Sequence, residues 1–253
     1  MSNIKTALIL AAGVGKRLQP ITNSIPKCLV EIEETPLLNR NIEILIDLGF
    51  EKLMIVTGYK SELIENEIEK YEGQIEIDTI HNSVYDTTNN IYSLWLAKSK
   101  INEPFVLIES DIYLEPEALS FFTTPDRIAL DLYDPDKHCG TTAHVNSDGT
   151  LNKLIYRGEL YSDYTEVVYK TVNIYSFSYD TWTKIARKIE YYIHQNDLNI
   201  FYEVAIGDLV QNKAISLKMV DFSELFWDEI DTCEDLARIT ELLKKQTINI
   251  SVI

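Results

Sequence analysis

Cysteine is scarce in this chain. Three stand in 253 residues, Cys28, Cys139 and Cys233, an odd number at wide spacing. That argues against both a disulfide framework and a cysteine-rich zinc site. Glycine and proline are thin as well, 9 and 7, and scattered. No Pro/Gly/Ser-rich linker, internal repeat or low-complexity tract divides the chain, so one domain over residues 1–253 is expected. No apolar run approaches the roughly 18 residues of a membrane span, and Met1 leads into a strand without the basic and hydrophobic regions of a signal peptide. A cytoplasmic protein with no membrane contact is expected. Basic charge is also short: 23 Lys and Arg face 40 Asp and Glu, a net charge of −17. That balance argues against a nucleic-acid or anionic-membrane surface.

Against this acidic background stands a basic, glycine-containing stretch, Leu8-Ile-Leu-Ala-Ala-Gly-Val-Gly-Lys-Arg-Leu-Gln-Pro20, followed by Pro26-Lys27. The apolar run from Ala7 to Ala12 reads as a buried strand, and Gly13 and Gly15 as the turn that closes it. Glycines let an anion approach backbone N–H groups, and Lys16, Arg17 and Lys27 bring three cations to the same turn. An ordinary strand–loop–helix connection with solvated basic residues is the other reading of this stretch. Two familiar phosphate loops are excluded by the letters. A dinucleotide fingerprint has a third glycine where this chain has Leu18, and a Walker loop has Ser or Thr where it has Arg17.

Further on, Leu37 to Leu48 has helical spacing that stops at Gly49, Leu53 to Thr57 reads as a buried strand, Glu62 to Tyr71 as a polar helix and Glu76 to His81 as a strand. This rhythm predicts an α/β fold with a mostly parallel sheet covered on both faces. The polar stretch His81 to Asn90 is a loop at the sheet's carboxyl edge, and Asn89 or Asn90 caps a helix from Ile91 to about Ala97. Phe105 to Ile108 is another buried strand with Glu109-Ser110-Asp111 at its end. Asp111 there either holds a hard cation or caps the turn before Leu114. Arg127 to Leu132, Thr141 to Val145 and Leu217 to Phe222 read as strands, with a hairpin-like turn at Asn146 to Gly149. Tyr179 to Gln195 and Phe201 to Val210 read as helices. Most aromatic residues lie between Tyr133 and Trp227, either as core, as for Tyr175, Phe177, Trp182 and Tyr192, or as pocket lining. Thr232-x-x-Asp235 has capping-box spacing for a helix over Cys233 to Lys245, with Leu236, Ile239, Leu242 and Leu243 facing inward. Glu229 and Asp231 then fall just before its N-terminus, where carboxylates complement the helix dipole. Two of them beside Trp227 is more than a cap requires.

Ala11-Ala12-Gly13-x-Gly15-x-Arg17-Leu18-x-Pro20 and Pro26-Lys27-x-Leu29-Val30 resemble the signature of nucleotidyltransferases that join an NTP to a sugar phosphate or an aminoalkyl phosphate. Thr88-Asn-Asn-Ile-Tyr-Ser-Leu-Trp95, Glu109-Ser-Asp111 and Trp227-Asp-Glu-Ile-Asp-Thr232 are similar to blocks of the phosphocholine and aminoethylphosphonate cytidylyltransferases. The resemblance implies a Rossmann-like, glycosyltransferase-A-like fold, with the N-terminal part binding nucleotide and the C-terminal part the acceptor. It implies CMP transfer from CTP to a small amino-bearing phosphate or phosphonate, with release of pyrophosphate, in the decoration of a cell-surface polysaccharide or lipid. Leu10, Ala11, Ala12, Gly13 and Gly15 would hold the nucleotide, Arg17 its β/γ phosphates and Lys27 the α-phosphate and incoming oxygen. Asp111 and Asp231 would bind Mg²⁺, and Ser83, Asn89, Asn90 and Ser93 would lie beside base and ribose. Tyr202, Glu203, Trp227 and Glu229 would receive the acceptor's cationic end, since an ammonium gains from aromatic faces and a nearby carboxylate. A sugar-1-phosphate nucleotidylyltransferase using UTP or dTTP is the rival within the class, and a non-catalytic nucleotide-sensing module the rival outside it. The sequence fixes no oligomeric state, a homodimer included.

Overall fold

In order along the chain, the elements are β1 (Thr6–Ala11), β2 (Glu31–Ile32), β3 (Thr35–Pro36), α1 (Leu37–Asp47), β4 (Lys52–Thr57), α2 (Ser61–Ile68), β5 (Glu76–His81) and α3 (Asn90–Ala97). They continue with β6 (Phe105–Glu109), β7 (Ile112–Leu114), α4 (Pro116–Ser120), β8 (Arg127–Leu132), β9 (Thr142–Val145), β10 (Leu151–Ile155) and β11 (Tyr169–Phe177). The last are α5 (Tyr179–His194), α6 (Tyr202–Gln211), β12 (Lys218–Asp221), β13 (Trp227–Glu229) and α7 (Cys233–Ile250). This computed structural model describes residues 3–156 and 167–250.

β1 lies inside the sheet because all six of its residues are buried and none carries a charge. It pairs in parallel with β4 on one side and β6 on the other, and β4 pairs in parallel with β5. The chain therefore runs outward from β1 through β4 and β5, then returns through β6 to the opposite flank of β1. Such a reversal of strand order opens a crevice at the carboxyl ends of the strands. Gly13 follows β1 and Asp111 follows β6 at that edge. β11 then runs antiparallel to β6, β8 and β9, which makes the sheet mixed. Its register shifts between Thr171 and Tyr175, and Asn173 there takes φ 62°, a bulge that lets one long strand serve several partners.

Alternate residues of the central strands feed two cores, one on each face. Ala7, Ile9, Leu53, Ile55, Val106 and Ile108 pack with Leu38, Ile42 and Leu45 of α1. Leu8, Leu10, Met54, Val56 and Leu107 pack with Ile91 and Leu94 of α3 and Trp182, Ile185 and Ile189 of α5. A third, smaller core joins Leu18, Val30 and Tyr113 to Ile230, Ile239 and Leu243, seating α7 against the β7–β13 pair. The capping box at the start of α7 forms as expected. Asp235 Oδ2 accepts from the Thr232 N–H at 2.8 Å, and Thr232 Oγ1 accepts from the Asp235 N–H at 3.2 Å. Two inward assignments change. Leu242 is exposed at 39 %, because it lies off the stripe formed by Ile239 and Leu243, and Tyr192 is only half-buried because its hydroxyl reaches Asp208. None of the helices is long and apolar enough to cross a membrane among the described residues.

Candidate nucleotide and acceptor site

The turn after β1 is shaped by Gly15 and left open by Gly13. Gly15 has φ 66°, and a Cβ on it would stand 3.0 Å from Lys27 Cβ and 3.1 Å from Thr22 Cγ2. Its carbonyl accepts from Thr22 Oγ1 at 2.8 Å. The glycine is thus what allows the Pro26–Lys27 segment to pack onto the turn. A Cβ on Gly13 would meet nothing within 4 Å. That side of the turn faces a cleft of about 460 Å³.

Leu10, Ala11, Ala12, Gly13, Gly15, Arg17, Lys27, Asn89, Asn90, Ser93, Asp111 and Asp231 all line this one cleft. Asp111 and Asp231, about 120 residues apart in sequence, meet at Lys27, whose Nζ lies 2.6 Å from Asp111 Oδ2 and 2.5 Å from Asp231 Oδ1. Arg17 closes the group, 2.6 Å from Asp231 Oδ2. Burial pulls the Lys27 ammonium down, but the two carboxylates more than reverse this and hold its pKa above the ordinary value. Burial likewise pushes Asp231 up, and Lys27 with Arg17 outweighs it, so this carboxyl ionises below its usual range.

Asp111, Glu229 and Asp231 each offer an oxygen, and the three lie within 4.8 Å of one another. Asp111 Oδ1 is buried without a hydrogen-bond partner. An all-oxygen set with an orphaned carboxylate oxygen fits a hard divalent cation. In this structure the Lys27 ammonium takes up charge-balancing contacts with two of those carboxylates.

A second, smaller cavity of about 130 Å³ shares Arg17 and Asp231 with the cleft and is lined also by Trp227, Glu229, Lys170 and His138. Trp227 is largely covered. Its Nε1 donates to Asp131 Oδ2 at 2.8 Å, and the His138 ring stacks on it with centroids 5.7 Å apart. Glu229 lies 3.3 Å from the buried Lys170 ammonium. Burial raises the Glu229 pKa, opposed by Lys170 and reinforced by Asp111 and Asp231.

Three expected contacts do not reach a cavity. Ser83 is exposed and off the cleft, where its neighbour Asn82 lines the wall instead. Tyr202 is fully buried, edge-on to Tyr175, because it starts α6 on the core face. Glu203 is 4 % exposed and stands behind the wall. Sequence reasoning missed two groups. Glu109 lines the cleft at the end of β6, which its place two residues before Asp111 could have signalled. Lys170 is 2 % exposed within the apolar strand β11, and no local pattern marks it.

Residues 6–125 match the nucleotidyl transferase family model. Over that stretch the chain is similar to nucleotidyltransferases. It is 26 % identical over 248 residues to a choline-phosphate cytidylyltransferase of Streptococcus pneumoniae, covering 95 % of this chain and 99 % of that one. It is also 26 % identical over 250 residues to a CTP:phosphoglutamine cytidylyltransferase of Campylobacter jejuni, covering 91 % and 97 %. The solved structure of a CTP:phosphocholine cytidylyltransferase from Streptococcus pneumoniae superposes with a TM-score of 0.78 at 23 % identity, covering 95 % of this chain and 99 % of that one, a likeness of fold. Enzymes named for sugar 1-phosphates are among the relatives too.

Proposed function

We propose that this protein transfers CMP from CTP to a small phosphate or phosphonate that also carries an amine, releasing pyrophosphate. One observation carries the reading: the Lys27 ammonium is held between Asp111 and Asp231 on the wall of a cleft whose rim is the Gly13–Gly15 turn. Attack by an acceptor oxygen already ionised near pH 7 calls for charge neutralisation and alignment more than for a protein base. Backbone amides from Leu10 to Gly13 hold the nucleotide, Arg17 binds the leaving phosphates, and Lys27 stabilises charge at the α-phosphate. Asp111 and Asp231 would hold Mg²⁺, which when bound supplies Lewis-acid polarisation of phosphate oxygens. A module that only senses a nucleotide would leave this cation and these carboxylates idle.

The acceptor's tail falls to the smaller cavity beside Asp231, where Glu229 supplies the carboxylate for an ammonium. Trp227 gives little to that contact, since Asp131 and His138 already engage its edge and face. The relatives named for sugar 1-phosphates, a mannose-1-phosphate guanylyltransferase and a UTP–glucose-1-phosphate uridylyltransferase, keep a second acceptor class, with a donor other than CTP, in contention. A pyrophosphate-release screen decides: four NTPs against choline phosphate, aminoethylphosphonate, amino-acid-derived phosphates and common sugar 1-phosphates. The expected result is CTP with an amine-bearing acceptor, lost when EDTA removes the metal. A sugar 1-phosphate outrunning every amine would overturn the acceptor assignment.

A further inference from the structure

Asn89 and Asn90 line the nucleotide cleft, and amide side chains there invite a role in reading the base. Their hydrogen bonds are already committed elsewhere. Asn90 Oδ1 accepts from the backbone N–H of Tyr202 at 3.0 Å, and Asn90 Nδ2 donates to Glu109 Oε1 at 3.0 Å. Asn89 Oδ1 accepts from the Asn90 N–H at 2.8 Å, while its Nδ2 donates to the Asn199 carbonyl at 3.3 Å and its N–H to the Leu198 carbonyl at 2.8 Å. Asn89 therefore caps α3, its own helix. Asn90 caps α6 from across the fold, because the N-cap residue of that helix, Phe201, has no side-chain acceptor to offer the first free N–H groups. Together they bind residues 198–202, which include the cleft-lining Phe201, to the start of α3, and they fix Glu109 two residues before Asp111.

We propose that Asn90 is a positioning residue, holding Glu109, two residues before Asp111, and the N-terminus of α6 in place along the wall of the cleft, and that it does not read the nucleotide base. The inference rests on the transferase reading above. On this account the loss of Asn90 disturbs the wall that leads to Asp111, so it is felt in turnover with the acceptor and leaves the affinity for nucleotide nearly intact. A base or ribose reader would give the opposite pattern, since a buried polar contact to the nucleotide would be left unmade.

Two variants separate the roles. Asn90→Ala removes the contacts to Glu109 and the Tyr202 N–H together with the amide's hydrogen bond to Glu203. Asn90→Asp keeps an oxygen for the Tyr202 N–H but removes the donor to Glu109 and sets two carboxyls against each other. The measurements are the Kd of CTP with Mg²⁺ by calorimetry, kcat and KM for the best acceptor of the screen, and hydrogen exchange at the Tyr202 amide. The expected result is a loss of at least ~10-fold in kcat/KM for the acceptor in both variants, with the CTP Kd within ~3-fold of wild type. Exchange at Tyr202 should quicken in Asn90→Ala and stay slow in Asn90→Asp. A CTP Kd weakened ~10-fold or more with acceptor kinetics unchanged would overturn the proposal, and so would variants that match wild type in every measurement. If wild type is silent with every NTP and acceptor, the transferase reading fails and takes this role with it, whereas an active wild type with unaffected variants removes Asn90 alone.

Discussion

Lys27 makes contact with both carboxylates that the metal would need. An ammonium 2.6 Å from Asp111 and 2.5 Å from Asp231 competes with a divalent ion for the same oxygens. Lys27→Ala should lower kcat/KM at least ~10²-fold, because a preorganised cation at developing phosphate charge is worth ~2.7 kcal/mol or more. Lys27→Met adds a readout free of turnover. With the ammonium gone, Asp111, Glu229 and Asp231 stand close together with only Arg17 and Lys170 opposing them, so Mn²⁺ should bind the nucleotide-free variant more tightly than wild type, as seen by electron paramagnetic resonance. Equal or weaker binding would show that the ammonium and the metal do not share a seat. The neighbouring glycines make a second contrast. Gly15→Ala meets Lys27 and Thr22 in a left-handed backbone conformation and should destabilise the fold by ~1 kcal/mol or more, whereas Gly13→Ala has open space around it. The expected outcome is a lower melting temperature for the first and, for the second, normal melting with weakened CTP binding. That both glycines, Lys27 and the two aspartates gather at one cleft was legible in the sequence, because motif spacing and the strand–helix rhythm put them at the same edge of the sheet. Lys170 and the engaged state of Trp227 were not, since both depend on what lies across the sheet.

Among the elements, those with a long hydrophobic period were read closely. α1, α5 and the strands β1, β4 and β5 fall within a residue or two of their expected bounds, because burial on one or both faces imposes the pattern. The three-residue strands β7 and β13 escaped, being too short to show a period. They matter to the site nonetheless. β7 begins one residue after Asp111 and β13 ends at Glu229, so their antiparallel pairing, Ile112 opposite Glu229, holds those two carboxylates side by side. Asp231 is set from the other direction by the capping box of α7. Thr232→Ala removes the hydroxyl that bonds the Asp235 N–H and the Asp235 carboxylate. It should cost ~1 kcal/mol of stability by urea unfolding and raise the Mg²⁺ concentration needed for half-maximal rate. A stability loss with no change in metal requirement would separate the cap from the site.

At the scale of the whole molecule, an acidic chain has gathered its carboxylates where the chemistry is. Glu109, Asp111 and Asp231 line the cleft, Glu229 lines the smaller cavity beside it and Glu203 is buried at the start of α6, and their burial has a price in stability that depends on pH. Burial pushes the Glu203 carboxyl up to about 7, with Lys170 and an Asn90 hydrogen bond opposing the shift. The unfolded chain releases this proton near 4.5, the ordinary value for a glutamate. Between those values the folded state therefore binds more protons than the unfolded state, and stability falls as pH rises. The contribution is complete below pH ~4.5, is lost progressively up to about 7 and then levels off, amounting to about 3 kcal/mol for this one group. Glu109, also raised by burial and by Asp111, Glu203 and Glu229, acts in the same direction. Glu203→Gln removes one titrating site from the set. Its stability relative to wild type should climb steadily when urea midpoints are compared from pH 4.5 to about 7 and level off above that, while the slope left by Glu109 persists. A variant that tracks wild type in parallel across that range would mean that Glu203 is already ionised in the folded protein, with Lys170 as its full counter-charge. The shared position of Lys170, 3.3 Å from Glu229, makes the two outcomes easy to separate, because a lysine fully engaged with Glu203 would leave Glu229→Gln with the larger pH effect.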